Sequence, residues 1–240
     1  MVGKKWLKLI KSLQQKKYRN EHQLFFVEGK KVVQELLNEG MEPVRIFVYP
    51  DFLDDFQNLP VEVIIPKALK SISALKNPNG VLGVFTMPQP LATDEKGWIV
   101  ALDDVRDPGN LGTIIRLCDW YGIKHLICSP YTVDLYNPKV LQATMGSIAR
   151  VNVVYTGLED FLRQSRLPIY GAYMDGKVVY EEVLPPAGIL VMGNEANGIS
   201  KSLEEFTKNR IAIPQYGEVT AESLNVAMAT GILLNEIRRG

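Results

Sequence analysis

Short apolar runs alternate with segments of helical period along most of the chain. Residues 5–17 set Trp6, Ile10 and Leu13 on one helical face among lysines, and KKVVQELLNEG (30–40) reads as a helix closed by Gly40. LFFVEG (24–29), RIFVY (45–49), VEVII (61–65) and VLGVF (81–85) read as strands, with short helices at FLDDFQ (52–57) and KALKSISAL (67–75). The stretch TMPQPLATDEKG (86–97) interrupts this pattern with two prolines and a polar tail, as a linker does. From Trp98 the alternation resumes with longer helices, expected near 110–121, 138–149, 158–166 and 222–238. Between them lie strands at WIVAL (98–102), HLIC (125–128), VNVV (151–154), IYGAYM (169–174), GILVM (188–192) and RIAI (210–213). The pattern predicts an α/β protein: a small α/β domain at 1–88, a linker at 89–97, and a domain at 98–240 whose mostly parallel sheet carries helices on both faces.

Composition is that of a globular protein, 46% hydrophobic and 22% charged, with zero net charge. The charge is unevenly spread. Residues 1–20 contain Lys4, Lys5, Lys8, Lys11, Lys16, Lys17 and Arg19 and no acidic residue. Such an arm suits phosphate contacts or serves as a solvated helix face. Cys118 and Cys128 are the only cysteines and sit in apolar surroundings, which predicts core thiols and a reducing, cytoplasmic setting. No apolar run approaches the roughly 18 residues of a membrane span. Two histidines, His22 and His125, make a histidine-rich metal site or a Ser-His-Asp triad hard to build. Neither a GxGxxG nor a GxxxxGK[ST] signature is present. The remaining chemistry is that of backbone amides, hydroxyls, carboxamides, carboxylate and arginine.

Three polar segments follow three apolar strands: DPGNLGTIIR (107–116), GNEANGIS (193–200) and IPQYGEVTAESLN (213–225). Strand ends of open α/β sheets are where ligands bind. In the first, Asp107 or Asn110 can cap the following helix, and Arg116 either snorkels or presents its five donors to a phosphate or carboxylate. In the second, Glu195 lies among glycines that allow close backbone approach by a ligand, or simply faces water from a turn. In the third, Ser223 and Asn225 either cap the last helix or offer a hydroxyl and an amide to a substrate. Ala227 and Gly231, one turn apart, let that helix pack closely on a neighbour. The residues by themselves support a polar ligand site on an α/β sheet.

Taken jointly, the three segments resemble the SpoU-type (TrmH-like) RNA ribose 2′-O-methyltransferases of the SPOUT superfamily. The family patterns DPxNxGxIxR, GxExxGIS and IPMxGxxxSLNVxxA read here DPGNLGTIIR, GNEANGIS and IPQYGEVTAESLNVAMA. VDLYNPKVLQATMGSIARV (133–151) and FFVEGKKVVQELL (25–37) are similar to further segments of that family. The resemblance implies a deep trefoil knot in the C-terminal domain, S-adenosylmethionine as cofactor, and a homodimer that completes each active site. It implies that Gly193, Ile213 and Leu224 line the cofactor pocket, with Met192 and the Ala143–Gly146 stretch as further contacts. Asn110, Arg116, Glu195, Ser223 and Asn225 become the catalytic set. The basic arm becomes an RNA-binding element, and the partner an RNA, ribosomal rather than transfer RNA because of the extra N-terminal domain. No metal or membrane is implied. Two departures stand out: the loop from Gly217 to Ser223 is about two residues longer than the common form, and Gln215 replaces methionine.

The family proposal gives the 2′-hydroxyl proton to Arg116. A guanidinium, with a pKa above about 12, suits a phosphate clamp better. Two rivals remain. One is an RNA-binding relative without activity, although all five catalytic positions are filled; the other is a knotted enzyme acting on a base nitrogen, against which the SLN motif argues.

Overall fold

A computed structural model of the chain describes residues 2–217 and 223–239. It divides into two units, residues 1–89 with 134–149, and residues 90–133 with 150–240. The first unit begins with helices α1 (Lys4–Ser12) and α2 (Lys16–His22) and strand β1 (Leu24–Glu28). There follow α3 (Lys30–Asn38), β2 (Pro43–Val48), β3 (Val61–Val63), α4 (Pro66–Ile72) and β4 (Val81–Thr86). Its sheet has the order β1-β4-β2-β3, with β4 antiparallel to both neighbours and β2 parallel to β3. Ile10 and Leu13 of the basic arm are fully buried in one core with Phe47, Ile64 and Leu82. The arm is therefore an integral helix pair and not an appendage: its lysines decorate a face whose opposite side is core.

The second unit runs β5 (Trp98–Leu102), α5 (Pro108–Trp120) and β6 (His125–Cys128). The chain next contributes α6 (Pro138–Thr144) to the first unit and returns with β7 (Asn152–Tyr155) and α7 (Leu158–Gln164). Strands β8 (Ile169–Val178) and β9 (Gly188–Met192), helix α8 (Lys201–Glu204), β10 (Asn209–Ala212) and helix α9 (Val226–Arg239) complete it. The six strands are parallel in the order β10-β8-β9-β5-β6-β7. Strands β5 and β9, at the centre, are buried at every position, so their sequences read as unbroken apolar runs. Helix α9 packs on α5 where Gly231 faces Leu117; a Cβ there would sit 3.4 Å from the leucine Cδ2.

The helical stretch expected over 5–17 is split into α1 and α2 across Leu13–Gln15, and two further helices differ from expectation, each for a local reason. The helix expected over 138–149 stops at Thr144, because Met145 and Gly146 turn to φ of 52° and 98° before a short 3-10 turn at Ser147–Ala149. A Cβ on Gly146 would fall 2.7 Å from the Glu35 Cβ, so the chain passes Glu35 only as glycine. The helix expected from 222 starts at Val226, because the Asn225 side chain takes the first free N–H groups.

Candidate active site at the strand ends

Each polar segment places one side chain in a single hydrogen-bonded chain. Leaving β5, the backbone turns at Asp107, whose Oδ1 accepts the Asn110 N–H at 2.8 Å and caps α5 ahead of Pro108 and Gly109. The cap sets Asn110 in the first turn with its carboxamide free. Asn110 Nδ2 donates to Glu195 Oε1 at 2.8 Å, and Asn225 Nδ2 donates to Asn110 Oδ1 at 2.9 Å. Asn225 Oδ1 meanwhile accepts the N–H groups of Ala227 and Met228 at 3.0 and 3.2 Å. An ionised carboxylate only accepts, so Glu195 fixes which end of Asn110 it meets, and Asn110 in turn fixes Asn225. Asn225 is both a helix cap and a member of the site.

The Glu195 loop is held by close backbone contact. Asn194 and Gly198 exchange two backbone hydrogen bonds at 2.9 Å. A Cβ on Gly193 would lie 2.2 Å from the Gly198 carbonyl carbon, so that position admits only glycine. Two residues that the sequence reading passed over anchor this loop to the end of β5. Asn194 Nδ2 donates to the Asp104 carbonyl at 2.7 Å, and Asp103, buried, accepts the Ser200 N–H at 2.7 Å. Their only signal in sequence is a polar residue within two positions of a strand end, which every turn shares.

Behind the chain lies a cavity of about 540 Å³, in the range of roughly 300–1,000 Å³ typical of small-molecule sites. The four residues expected to hold a cofactor, Met192, Gly193, Ile213 and Leu224, all line it, as do Glu195 and Ser223. Ile199, Ile211 and Leu233 add apolar surface. Gln215 stands in the wall, whereas most of the lengthened loop after Gly217 lies outside the described residues. Ala172–Asp175 complete the wall, a contribution the sequence reading did not anticipate. Ala143–Gly146, by contrast, are absent from its lining; Ala143 borders a separate cavity of about 280 Å³ within the first unit.

Arg116 is not brought into the cluster. It follows Asn110 by six residues, which on an α-helix is about 9 Å along the axis and a third of a turn off its face. It is exposed, makes no hydrogen bond or ion pair among the described residues, and does not line the cavity. One turn on, Trp120 is 83% exposed. Beside them a groove of about 590 Å³ runs between α5 and α9, past Leu117, Met228 and Gly231.

The basic arm divides. Lys4, Lys5, Lys8, Lys11, Lys16 and Lys17 are exposed. Arg19 is corrected: it is 3% exposed, with Nη1 donating to the Leu13 carbonyl at 2.8 Å and Nη2 paired with Asp134. Its charge ties together parts of the first unit and is not offered to a ligand. Cys118 and Cys128 are buried free thiols whose pKa is pushed up by burial. His125 is a buried strand residue, its Nδ1 against Asn152 Nδ2 and its Nε2 accepting the Asp94 N–H of the linker. Backbone hydrogen bonding, then the nearby imidazole, lowers the Asp94 pKa. Among the described residues no cluster of histidine, cysteine and carboxylate could hold a metal ion. No described helix is long and apolar enough to cross a membrane.

Known proteins share this architecture. Residues 4–83 match the MRM3-like substrate binding domain. A Bacillus subtilis protein, the 23S rRNA (guanosine(2553)-2′-O)-methyltransferase RlmP, is 31% identical over 95% of this chain and 94% of its own. Among solved structures, a putative RNA methyltransferase of the TrmH family from Porphyromonas gingivalis is 37% identical, with a TM-score of 0.91 over 100% of this chain and 99% of its own. The AdoMet-bound rRNA methyltransferase from Sinorhizobium meliloti is 33% identical, with a TM-score of 0.87 over 100% of this chain and 96% of its own. Residues 97–235, which carry all three polar segments, match the SpoU rRNA Methylase family, and the chain belongs to that family.

Proposed function

We propose that this protein methylates a ribose 2′-hydroxyl in ribosomal RNA, using S-adenosylmethionine. The observation that carries the reading is the Asn225–Asn110–Glu195 hydrogen-bonded chain at the edge of the 540 Å³ cavity. The cavity fits the cofactor: apolar side chains suit an adenine, and the Gly193 backbone, bare of a Cβ, suits close approach. When bound, S-adenosylmethionine supplies a methyl group already activated by its sulfonium. Met192, Gly193, Ile213 and Leu224 hold it, largely through backbone and apolar contact.

The remaining work is alignment of a nucleophile, which can be worth several orders of magnitude. Ser223 and Asn225 hold the ribose, and Glu195 fixes Asn110 so that Asn225 cannot turn away. Arg116 grips the adjacent phosphate and offsets charge that develops on the 2′-oxygen, whose proton passes to solvent water. Because Arg116 is exposed and joins neither its own chain's cluster nor the cavity lining, a second copy delivers it. We assign the homodimer to the α5–α9 face, on which Met228 is 63% exposed and Trp120 83%. The trefoil knot belongs to the same reading, supported by family membership. So does a cytoplasmic location, supported by the free buried thiols. RNA recognition falls to residues 1–88, supported by the match to a substrate binding domain and by the six exposed lysines, and methyl transfer to residues 98–240.

The test uses the full chain, S-adenosylmethionine carrying a tritiated methyl, and unmodified ribosomal RNA with transfer RNA in parallel. A 2′-O-methyl blocks alkaline cleavage, so label should appear in alkali-resistant dinucleotides from ribosomal RNA. Label in base-methylated mononucleotides, or in transfer RNA alone, would sink the assignment.

A further inference from the structure

Strand β8 does not run evenly beside β10. Arg210 pairs with Gly171, yet the next residue, Ile211, pairs with Lys177. Residues 172–176 therefore leave the ladder while β10 advances by one residue, an enlarged bulge of the kind that re-aims side chains beside active sites. Gly176 lets the strand rejoin, since a Cβ there would lie 2.6 Å from the Ile211 carbonyl carbon. The excursion carries Ala172, Tyr173, Met174 and Asp175 to the cavity wall.

Arg210, at the base, clasps this excursion twice. Its Nη2 donates to Asp175 Oδ1 at 2.7 Å, and its guanidinium carbon lies 3.7 Å from the Tyr173 ring centroid. The Tyr173 hydroxyl is itself hydrogen-bonded to Thr207 Oγ1 at 2.7 Å. Asp175 thus has one oxygen engaged, and its Oδ2 makes no hydrogen bond among the described residues. Among the described residues lining the cavity, the charged groups are Asp175 and Glu195, both carboxylates. Glu195 is committed to Asn110. The wall therefore favours a cationic ligand and leaves one carboxylate oxygen to meet it.

We infer that Asp175 recognises the α-ammonium group on the amino-acid arm of S-adenosylmethionine, and that Arg210 is the positioning residue that presents it. The inference rests on the cofactor reading above and goes beyond it by naming the group that reads the arm. Asp175 is 72% exposed, so solvent screening keeps its effect modest, of order fivefold in affinity.

Calorimetry on the full chain tests it with three ligands: S-adenosylmethionine, S-adenosylhomocysteine, and 5′-methylthioadenosine, which lacks the amino-acid arm. Asp175→Asn should weaken the first two about fivefold and leave 5′-methylthioadenosine within twofold of wild type. Arg210→Gln, which keeps the carboxylate but opens the clasp, should weaken all three together. If Asp175→Asn leaves the first two unchanged, or weakens all three alike, Asp175 does not read the arm. If Arg210→Gln binds all three as wild type does, Arg210 does not position the excursion. A wild-type chain that binds none of the three overturns the cofactor reading, and this inference with it.

Discussion

Asn225 carries two duties on opposite ends of one carboxamide, and two substitutions separate them. Its Oδ1 caps α9 through Ala227 and Met228, and its Nδ2 holds Asn110 at 2.9 Å. Asn225→Ala removes both. Losing the cap costs about 1 kcal/mol, and losing an exposed side-chain hydrogen bond about 0.5 kcal/mol. For a chain of this size the sum lowers Tm by roughly 3–6 °C. Asn225→Asp keeps the cap, improved by a negative charge at a helix N-terminus. It also sets a second carboxylate against Asn110, whose carbonyl end then has no donor to face. Stability should stay within about 0.5 kcal/mol of wild type. The ribose, however, loses a fixed partner, which at about 1–3 kcal/mol is a roughly 5- to 150-fold fall in kcat. Thermal melts and single-turnover methylation at saturating cofactor read the two effects separately. If Asn225→Asp methylates at the wild-type rate, the hydrogen-bonded chain is structural and Asn225 is only a cap.

Gly193→Ala should raise the dissociation constant for S-adenosylmethionine at least tenfold by calorimetry. Its Cβ, 2.2 Å from the Gly198 carbonyl carbon, must open the loop; wild-type affinity would refute the close-packed cradle. Replacing Lys4, Lys5, Lys8 and Lys11 by glutamine should flatten the slope of log Kd against log salt for RNA by roughly 0.7–0.9 per lost phosphate contact. Cofactor affinity should not change, and an unchanged salt slope would return the arm to a solvated face. Deleting residues 1–20 is no substitute, because Ile10 and Leu13 are core. Burial raises the Glu28 pKa above its usual value of 4.5, partly opposed by hydrogen bonds from Ser73 and Ala74. The stability gained from keeping that carboxyl protonated is complete below pH 4.5 and is lost as pH rises through the raised value. Glu28→Gln does not titrate, so its urea midpoint should improve relative to wild type from pH 4 to 8; parallel curves would contradict this.

Strands β5, β6 and β9 were legible to the residue, because a parallel strand buried on both faces is an uninterrupted apolar run. Elements whose limits depend on one contact were not. Thr144 ends α6 because Gly146 must pass Glu35, a residue more than a hundred positions earlier. The strand expected at 169–174 runs on to Val178. It is extended because Lys177 and Val178 pair with Ile211 and Ala212. Arg19 read as one more cation of the arm; only the fold reveals Asp134 beside it.

The ambiguity of the three polar segments had a physical source. Read singly, Asn110, Glu195 and Asn225 pose a choice between cap or turn and site, because local spacing is all that either explanation needs. The fold removes the choice by dividing the work. Asp107 takes the capping role in the first segment, which frees both ends of Asn110. Asn225 caps with its oxygen and bonds with its nitrogen, so the cap is what aims the site. Glu195, which on its own reads as a solvated turn residue, is the acceptor that orients both carboxamides. A motif of three weak parts becomes specific because each part satisfies a hydrogen bond that another leaves open. That dependence is also why Asn110, the middle link, matters most: its substitution frees Glu195 and leaves Asn225 held by its cap alone, whereas losing either end leaves the other two joined.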